Sequence, residues 1–554
     1  MDKIWLASYP AGIPAEIAPL KYSSIADLFV SAVGRYGDSP AAINMGTTLT
    51  YAELGDLARD MAAYFQQSLG LKKGDRIAIM MPNLLQYLVA MYGAFRAGLV
   101  VVNVNPLYTP RETIHQLNDA GAVAIVILAN MAHTLEDTLP QCPALRHVII
   151  TRVGDLFGTV KGLAVNFISK YIANPYPGYS LPGAISFNHA LSTGKKLTLN
   201  PVDVGLEDIA FLQYTGGTTG ISKGAMLTHS NMLSNVAQGE AWIGHILEPG
   251  KECVVTALPL YHIFSLTANC LIFTEMGAAN VLITNPRDMK GFVRELSKYK
   301  FTVITGVNTL FNGLLHTDGF DALDFSHLKI VMGGGMAVQY AVASSWKEVT
   351  GKPILEAYGL TETSPAVTIN PFNLKDYTGA IGLPLPSTEV KIIDESGKEL
   401  DIADVGELCI RGPQVMKGYW RSPEETALVL SKDGWLKTGD IAKIDAKGFV
   451  YLVDRKKDMI LVSGFNVYPN EIEDVVMGHP GVLEAAAVGA PNTTSGQVVK
   501  LFVVKKDPNL TEKDVLDYCE SRLTRYKMPR VVVFKDSLPK SNVGKILRRE
   551  LRGA

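Results

Sequence analysis

Short runs of β-branched residues alternate with helical patterns through most of this 554-residue chain. Examples of these runs are Arg76–Met80, Ala124–Leu128, His147–Ile150 and Phe301–Ile304. The segments between them are long enough for crossover helices, so the strands that they predict pair in parallel. We therefore expect an α/β fold with layered, largely parallel sheets. The length also predicts several subdomains, since a single core rarely grows this large.

The sequence pattern changes after about residue 378. The segments Val390–Asp394, Gly406–Gly412 and Phe449–Asp454 are typical of strands linked by Gly/Asp turns, and they predict a small β-rich subdomain. Residues beyond Ile460 then predict a compact α+β unit of their own.

Composition favours a soluble globular enzyme. The net charge is −2, charged residues make up 19% and apolar residues 47% of the chain. This balance argues against a nucleic-acid partner bound mainly by electrostatics. The start of the chain, Met1–Trp5, lacks the continuous apolar core of a signal peptide, so we expect a cytoplasmic protein.

Two uncharged runs have the length of membrane spans, Ile77–Phe95 and Cys253–Thr274. Pro82-Asn83 interrupts the first run, and Pro259, His262 and Asn269 interrupt the second. Each run is better interpreted as a buried parallel strand, a turn and a packed helix. We therefore expect no transmembrane helix.

Residues 160–172 predict an amphipathic helix. Apolar side chains fall on one stripe, and Lys161, Asn166 and Lys170 lie largely away from it. The stripe residues are Val160, Leu163, Ala164, Phe167, Ile168, Tyr171 and Ile172. The first interpretation is a helix packed on its own domain or on the partner in a homodimer. The alternative is peripheral contact with the inner face of a membrane.

The loop Tyr214–Gly224 combines four glycines, three threonines, a serine and a lysine, directly after the apolar run Ile209–Leu212. Glycines let backbone N–H groups approach a polyanion, hydroxyls donate hydrogen bonds, and Lys223 adds a charge. The loop therefore predicts a phosphate site. Lys223 follows Ser222, so the loop does not match a P-loop. The segment also does not fit the G-x-G-x-x-G pattern of a dinucleotide-binding fold.

This loop resembles the phosphate loop of the adenylate-forming enzymes, and four further motifs resemble that superfamily in the same order. They are Gly333–Met336 with Tyr358–Glu362, Gly434–Asp440, Asp454–Asp458 and Pro539–Arg549. Met81–Asn83, Val102–Glu112, Leu258–Phe264 and Ser463–Pro469 resemble the acyl-CoA synthetases of fatty acids within it. The resemblance spans the whole chain and implies ATP, Mg²⁺ and coenzyme A as reaction partners of a fatty acid.

The resemblance also implies roles for individual residues. It implies that Lys545, Thr361 and Glu362 are catalytic and that Glu362 also binds Mg²⁺. For ATP and AMP it implies Tyr214, Thr215, Gly216, Gly217, Thr218, Thr219, Gly220, Lys223, Gly334, Tyr358, Asp440 and Arg455. His262, Gly333 and Gly335 would line the acyl substrate, and Ser463, Gly464 and Phe465 would bind coenzyme A. A core histidine remains an equal alternative for His262.

The same resemblance implies a domain division at residues 1–453, 454–458 and 459–554. The middle segment would be a hinge at Lys457, about which a small mobile C-terminal domain rotates between two half-reactions. The implied activity is ligation of a long-chain fatty acid to coenzyme A through an acyl-adenylate. Ligation of a medium-chain or aryl acid, luciferase or acyl-AMP ligase activity, and a fatty-acid-binding or uptake module remain alternatives.

Overall fold

A computed structural model describes residues 3–173, 175–215, 222–463, 465–492, 495–541 and 543–552. Gly216, Gly217, Thr218, Thr219, Gly220 and Gly464, all predicted site residues, therefore lie outside the described residues. Four sheets organise the chain. Two large, mainly parallel sheets and a small antiparallel sheet precede a fourth sheet near the C-terminus.

The largest sheet has nine strands. In spatial order they are Leu383–Pro384, Ala366–Ile369, Leu355–Gly359, Ile330–Gly334, Val303–Gly306, Cys253–Thr256, Ala279–Leu282, Pro40–Asn44 and Thr47–Thr50. The pairs from Leu355–Gly359 through Pro40–Asn44 are parallel, and antiparallel strands complete both edges. Its central strands are buried, as their apolar sequences predict.

The second large sheet has seven strands. They are Ile185–Ser186, His147–Thr151, Ala124–Leu128, Arg76–Met80, Val100–Asn103, Ile209–Thr215 and Lys223–Thr228. All pairs are parallel except the last, in which Lys223–Thr228 runs antiparallel to Ile209–Thr215. The predicted parallel α/β layers are therefore confirmed.

Helices pack around the sheets, and the one at Pro423–Val429 packs against the small antiparallel sheet. The α-helices are Ile25–Tyr36, Tyr51–Gln67, Leu85–Arg96, Pro110–Ala120, Ala132–Thr138, Thr159–Ile168, Phe187–Gly194, His229–Ile243, Ile263–Ser265, Ile272–Glu275, Met289–Leu296, Asn308–Leu315, Tyr340–Thr350 and Pro423–Val429. Shorter 3-10 turns are Ile4–Ser8, Ala129–Met131, Leu139–Gln141 and Thr361–Thr363, and Ser169–Ala173 and Leu266–Leu271 are π-helical.

Both uncharged runs form the predicted strand, turn and helix. The first gives the strand Arg76–Met80 and the helix Leu85–Arg96, and the second gives Cys253–Thr256 and a continuous helical segment over residues 263–275. Their side chains are largely buried within the α/β layers. In the described part of the chain, no helix is both long and apolar enough to cross a bilayer.

The predicted β-rich subdomain is a four-stranded antiparallel sheet of Glu389–Ile393, Gly406–Arg411, Leu436–Ile444 and Val450–Arg455. The last part of the chain forms the predicted α+β unit with its own apolar core. Its strands are Ile460–Val462, Phe465–Val467, Val482–Asn492, Gly496–Lys505 and Pro529–Phe534, and its helices are Pro469–Met477, Glu512–Glu520 and Arg548–Leu551.

The amphipathic segment is helical as predicted, but its apolar stripe faces outward. Val160 is 84% exposed and Phe167 is 58% exposed, and the other stripe residues are exposed as well. The polar side of the helix holds it to the domain instead. Lys161 Nζ donates to the Met45 carbonyl at 2.7 Å, and Asn166 Oδ1 accepts from Gly154 N at 2.8 Å. The stripe therefore does not pack on its own domain, and contact with a homodimer partner or with a membrane stays open.

Candidate active site

One cavity of about 2090 Å³ brings most of the predicted site residues together. It opens at the carboxyl ends of the parallel strands, where ligands of α/β proteins commonly bind. The predicted residues that line it are Tyr214, Thr215, Lys223, His262, Gly333, Gly334, Gly335, Tyr358, Thr361, Glu362, Asp440, Arg455, Lys457 and Lys545. Ser463 and Phe465 are exposed and lie outside this cavity, and the Phe465 ring stacks on Tyr526 at 4.7 Å.

The glycines at the end of the strand Ile330–Gly334 permit a close packing that a side chain would disturb. A Cβ on Gly334 would lie 3.0 Å from the Ala357 carbonyl oxygen and 3.1 Å from the Phe264 ring. Gly335 has a φ of +75°, which favours glycine over other residues. Glycine therefore lets this corner of the cavity bring the ends of two neighbouring strands and the Phe264 ring close together.

Asp440 is a buried carboxylate of the cavity. The Tyr358 hydroxyl donates to Asp440 Oδ2 at 2.7 Å, and Arg455 Nε lies 3.3 Å from Asp440 Oδ1. Asp440 and Arg455 are cross-strand partners, so the antiparallel register sets their contact. Burial raises the pKa of Tyr358 well above its ordinary value, so the phenol remains a donor at neutral pH.

Lys545 reaches the cavity from a hairpin at the end of the chain. The hairpin closes where Ser541 N donates to the Lys545 carbonyl at 2.7 Å. Thr309 Oγ1 donates to the Gly544 carbonyl at 2.9 Å and joins the hairpin to the large domain. Burial, together with the nearby charge of Arg455, lowers the pKa of Lys545 to about 7.

His262 begins the helical segment of the second uncharged run. Its Nδ1 accepts a hydrogen bond from Phe264 N at 3.3 Å, so the ring caps the helix. Burial and the charge of Lys545 lower its pKa to about 4. The ring is therefore neutral at physiological pH. Because Nδ1 accepts the hydrogen bond from Phe264 N, Nδ1 is the unprotonated nitrogen of the ring.

Tyr419 and Glu425 lie beside Lys223 at the end of the cavity where the phosphates are predicted, although no sequence pattern indicated them. Lys223 Nζ contacts the carboxylate of Glu425 and lies 5.3 Å from the centre of the Tyr419 ring. The Tyr419 hydroxyl donates to Glu362 Oε1 at 2.7 Å. The segment that carries Tyr419 and Glu425 thus contacts both the predicted phosphate lysine and the predicted metal carboxylate.

Glu356 is a further lining residue that the sequence did not reveal. It lies two residues before Tyr358, and no described residue donates a hydrogen bond to its buried Oε2. Burial raises its pKa to about 8, so the carboxyl is largely protonated at pH 7. A buried polar atom of this kind requires a hydrogen-bond partner, which a water or a bound ligand could supply.

The predicted hinge lies beside a buried ion-pair network. Arg548 Nη1 lies 3.2 Å from Asp454 Oδ1, and its Nη2 lies 2.6 Å from Glu473 Oε2. Arg552 Nη2 donates to the Lys457 carbonyl at 3.0 Å. Burial, with the charge of Arg455, lowers the pKa of Lys457 to about 8.

Comparison with protein families identifies this arrangement. The family model described as AMP-binding enzyme matches residues 29–420, and that described as AMP-binding enzyme C-terminal domain matches residues 471–545. The chain belongs to the AMP-binding enzyme family. This confirms the resemblance that the ordered motifs indicated.

Relatives within this family match over the full chain. A long-chain-fatty-acid–CoA ligase of Escherichia coli O157:H7 is 60% identical over 552 residues, which are 100% of this chain and 98% of that protein. The protein of the same name from Haemophilus influenzae is 52% identical over 555 residues, with the same two coverages. The ATP-bound structure of MatB from Rhodopseudomonas palustris is 30% identical with a TM-score of 0.80, over 95% of this chain and 98% of that chain.

Proposed function

We propose that this AMP-binding enzyme ligates a long-chain fatty acid to coenzyme A, forming acyl-CoA, AMP and diphosphate through an acyl-adenylate. The observation that carries the proposal is the identity of 52–60% to long-chain-fatty-acid–CoA ligases over the whole chain. The product would serve β-oxidation or lipid synthesis.

The first half-reaction brings a fatty carboxylate and ATP together, so it needs cations and fixed donors where negative charge accumulates. In the proposed assignment Lys223 and the glycine-rich loop hold the β- and γ-phosphates, and Tyr358 stacks on adenine. Asp440 accepts hydrogen bonds from the ribose hydroxyls, and Arg455 binds the ribose beside Asp440. Lys545 bridges the carboxylate and the α-phosphate, which positions the carboxylate oxygen to attack phosphorus while diphosphate leaves.

Mg²⁺ fits this site through Glu362, with Thr361 beside it. Glu362 Oε2 accepts no hydrogen bond from the described residues. Mg²⁺ retains several waters and commonly binds through only one or two carboxylates together with substrate phosphates, so Glu362 alone could hold the ion at this site. When bound, the ion would neutralise charge on the phosphate oxygens.

In the second half-reaction the thiol of coenzyme A attacks the acyl carbonyl and AMP leaves. We propose that residues 459–554 rotate about Lys457, within the linker 454–458, against residues 1–453. The rotation would withdraw Lys545 and bring Ser463, Gly464 and Phe465 to the cavity. Two observations support an assignment of this arrangement to the first half-reaction. Ser463 and Phe465 are exposed and away from the cavity, and Lys545 is buried within it.

We also propose that the helix Thr159–Ile168 rests on the inner face of a membrane. Its polar side chains bind the domain and its apolar stripe faces outward, the reverse of an ordinary surface helix. Fatty acids partition into membranes, so a cytoplasmic enzyme with such a contact would meet its substrate there. A homodimer formed through the stripe is the competing assignment.

The activity itself is tested by incubating the purified chain with ATP, Mg²⁺, coenzyme A and either saturated acids of graded length or aryl acids. We expect acyl-CoA and AMP in equal amounts, and a fatty-acid-dependent ATP–diphosphate exchange. Exchange with aryl acids only would favour the aryl ligase alternative. No exchange with any acid would favour the binding or uptake module.

The two half-reactions should separate by mutation. Lys545→Ala should lower adenylate formation at least 100-fold, about 2.7 kcal/mol of lost charge stabilisation, yet still convert supplied acyl-AMP to acyl-CoA. Gly464→Leu should do the reverse. Lys535→Ala removes a lysine outside the cavity and should change neither rate. Equal loss of both half-reactions in both variants would exclude the rotation.

The pH dependence should report Lys545. With a pKa of about 7, Lys545 loses its proton as pH rises, so kcat/KM for adenylation, which reflects the free enzyme, should fall above about pH 7. In the substrate complex the bound ATP and carboxylate favour the charged form of Lys545 and raise its pKa, so kcat should fall only at higher pH. Lys545→Arg stays charged and should lack this decline in whatever activity remains. The same decline in Lys545→Arg would assign it to another group.

Membrane contact is tested by co-sedimentation with vesicles of phosphatidylethanolamine and phosphatidylglycerol. Phe167→Glu/Ile168→Glu should reduce bound protein severalfold, since it places two charges on the apolar stripe. Ile402→Glu/Val405→Glu alters two other exposed apolar residues and should leave binding unchanged. Unchanged binding in the first variant, with a shift from dimer to monomer in solution, would support the homodimer instead.

A further inference from the structure

We propose that Gly239 and Ile272 together control how long an acyl chain the cavity accepts. This inference rests on the proposed function, because it assigns the apolar depth of the same cavity to the fatty acid. Neither residue belongs to the nucleotide-binding motifs of the chain.

The cavity extends from the reacting groups along one face of the nine-stranded sheet. Met332 and Ile330 line it from one strand, and their register partners Thr305 and Val303 line it from the next. Residues two apart in a strand share a face, so these four side chains form a continuous wall. Ile330 and Val303 lie at its deep end, away from Gly334.

Two helical segments form the opposite walls. Asn235, Gly239 and Ile243 line the cavity from the helix His229–Ile243, and their spacing of four residues places them on one face. Ile272 and Phe273 line it from the end of the other helical segment. The deep part is therefore bounded almost entirely by apolar side chains, as a hydrocarbon chain requires.

Gly239 provides the space that the Ile272 side chain occupies. A Cβ on Gly239 would lie 2.4 Å from Ile272 Cδ1 and 3.2 Å from Cγ1. Such contacts are impossible unless the end of the Ile272 side chain moves. Both residues are buried and line the cavity, so the cavity is where that methyl group would go. The pair therefore determines the width of the channel at this depth.

The depth of the pair makes its effect depend on chain length. Phe264, whose ring approaches Gly334, marks the reacting end, and Ile272 lies eight residues farther along the helical segment. At the rise of an α-helix eight residues would span about 12 Å, and the wider, shorter π-helical turn at Leu266–Leu271 reduces this, so at most about ten bonds of an extended chain reach the pair. A chain of eight carbons therefore ends at or before the level of Gly239, whereas one of sixteen carbons must pass it.

The test is the chain-length profile of Gly239→Ala. Alanine favours a helix, so the backbone tolerates it. We expect kcat/KM for octanoate to stay within threefold of the unmodified enzyme and that for palmitate to fall at least tenfold. Each methylene kept out of the channel costs about fourfold, equivalent to about 0.8 kcal/mol. Ile272→Val removes Cδ1, so Gly239→Ala/Ile272→Val should restore palmitate to within threefold.

Gly55→Ala is the matched control. Its Cβ would lie 2.8 Å from Val33 Cγ1, a similar crowding of a β-branched side chain by a helical glycine, but outside the cavity. It should affect all acids equally. If Gly239→Ala fails to fold, Ile272→Phe narrows the channel from the other wall and should show the same selective loss of palmitate.

Equal losses for octanoate and palmitate in Gly239→Ala and Ile272→Phe would overturn this inference, and so would failure of Ile272→Val to restore palmitate. Either result would leave the proposed function intact, because the unmodified enzyme would still form both thioesters. Absence of any fatty acyl-CoA from the unmodified enzyme would instead reject the proposed function.

Discussion

The organisation of the site depends on the buried carboxylate of Asp440 and on the three cations near it, Arg455, Lys457 and Lys545. Asp440 contacts Tyr358 and Arg455 directly, and its charge also acts on Lys457 and Lys545. Burial and mutual repulsion among these cations lower the pKa of both lysines. A bound polyanion would relieve that repulsion, so the cavity is electrostatically suited to a nucleotide and a carboxylate together.

Much of the fold and many of the site residues could be predicted from the sequence, because the patterns that indicate them are local. Buried parallel strands require continuous apolar runs, so Arg76–Met80 and Ala124–Leu128 were recognisable without any tertiary information. The residues that meet at the strand ends were found through motifs such as Tyr358–Glu362. Tyr419 and Glu425 were missed because their positions in the site arise only from contacts between distant segments. Glu356 was missed because its burial depends on the packing around its strand.

The amphipathic helix shows a different limit of sequence reasoning. Periodicity establishes that residues 160–172 have an apolar face, but it does not tell which face meets the protein. The orientation depends on Lys161, Asn166 and Gly162, which fit the domain surface closely. A buried Cβ at Gly162 would lie 2.5 Å from the Gly154 carbonyl oxygen, so that close approach requires glycine on the inward face. The chain-length pair Gly239 and Ile272 is likewise invisible in sequence, because its two members are joined only by helix packing.

The proposed exchange between half-reactions requires an interface that holds Lys545 in place and still opens. The contacts between the Lys545 region and the large domain include two single hydrogen bonds, Thr309 to Gly544 at 2.9 Å and Asn312 to Leu483 at 3.1 Å. Each such bond contributes only about 0.5–1.5 kcal/mol net. The stronger ion pair of Arg548 with Glu473 lies within the C-terminal part and would move with it. Rotation would therefore break weak contacts and preserve strong ones, except at Asp454, where Arg548 reaches across the hinge.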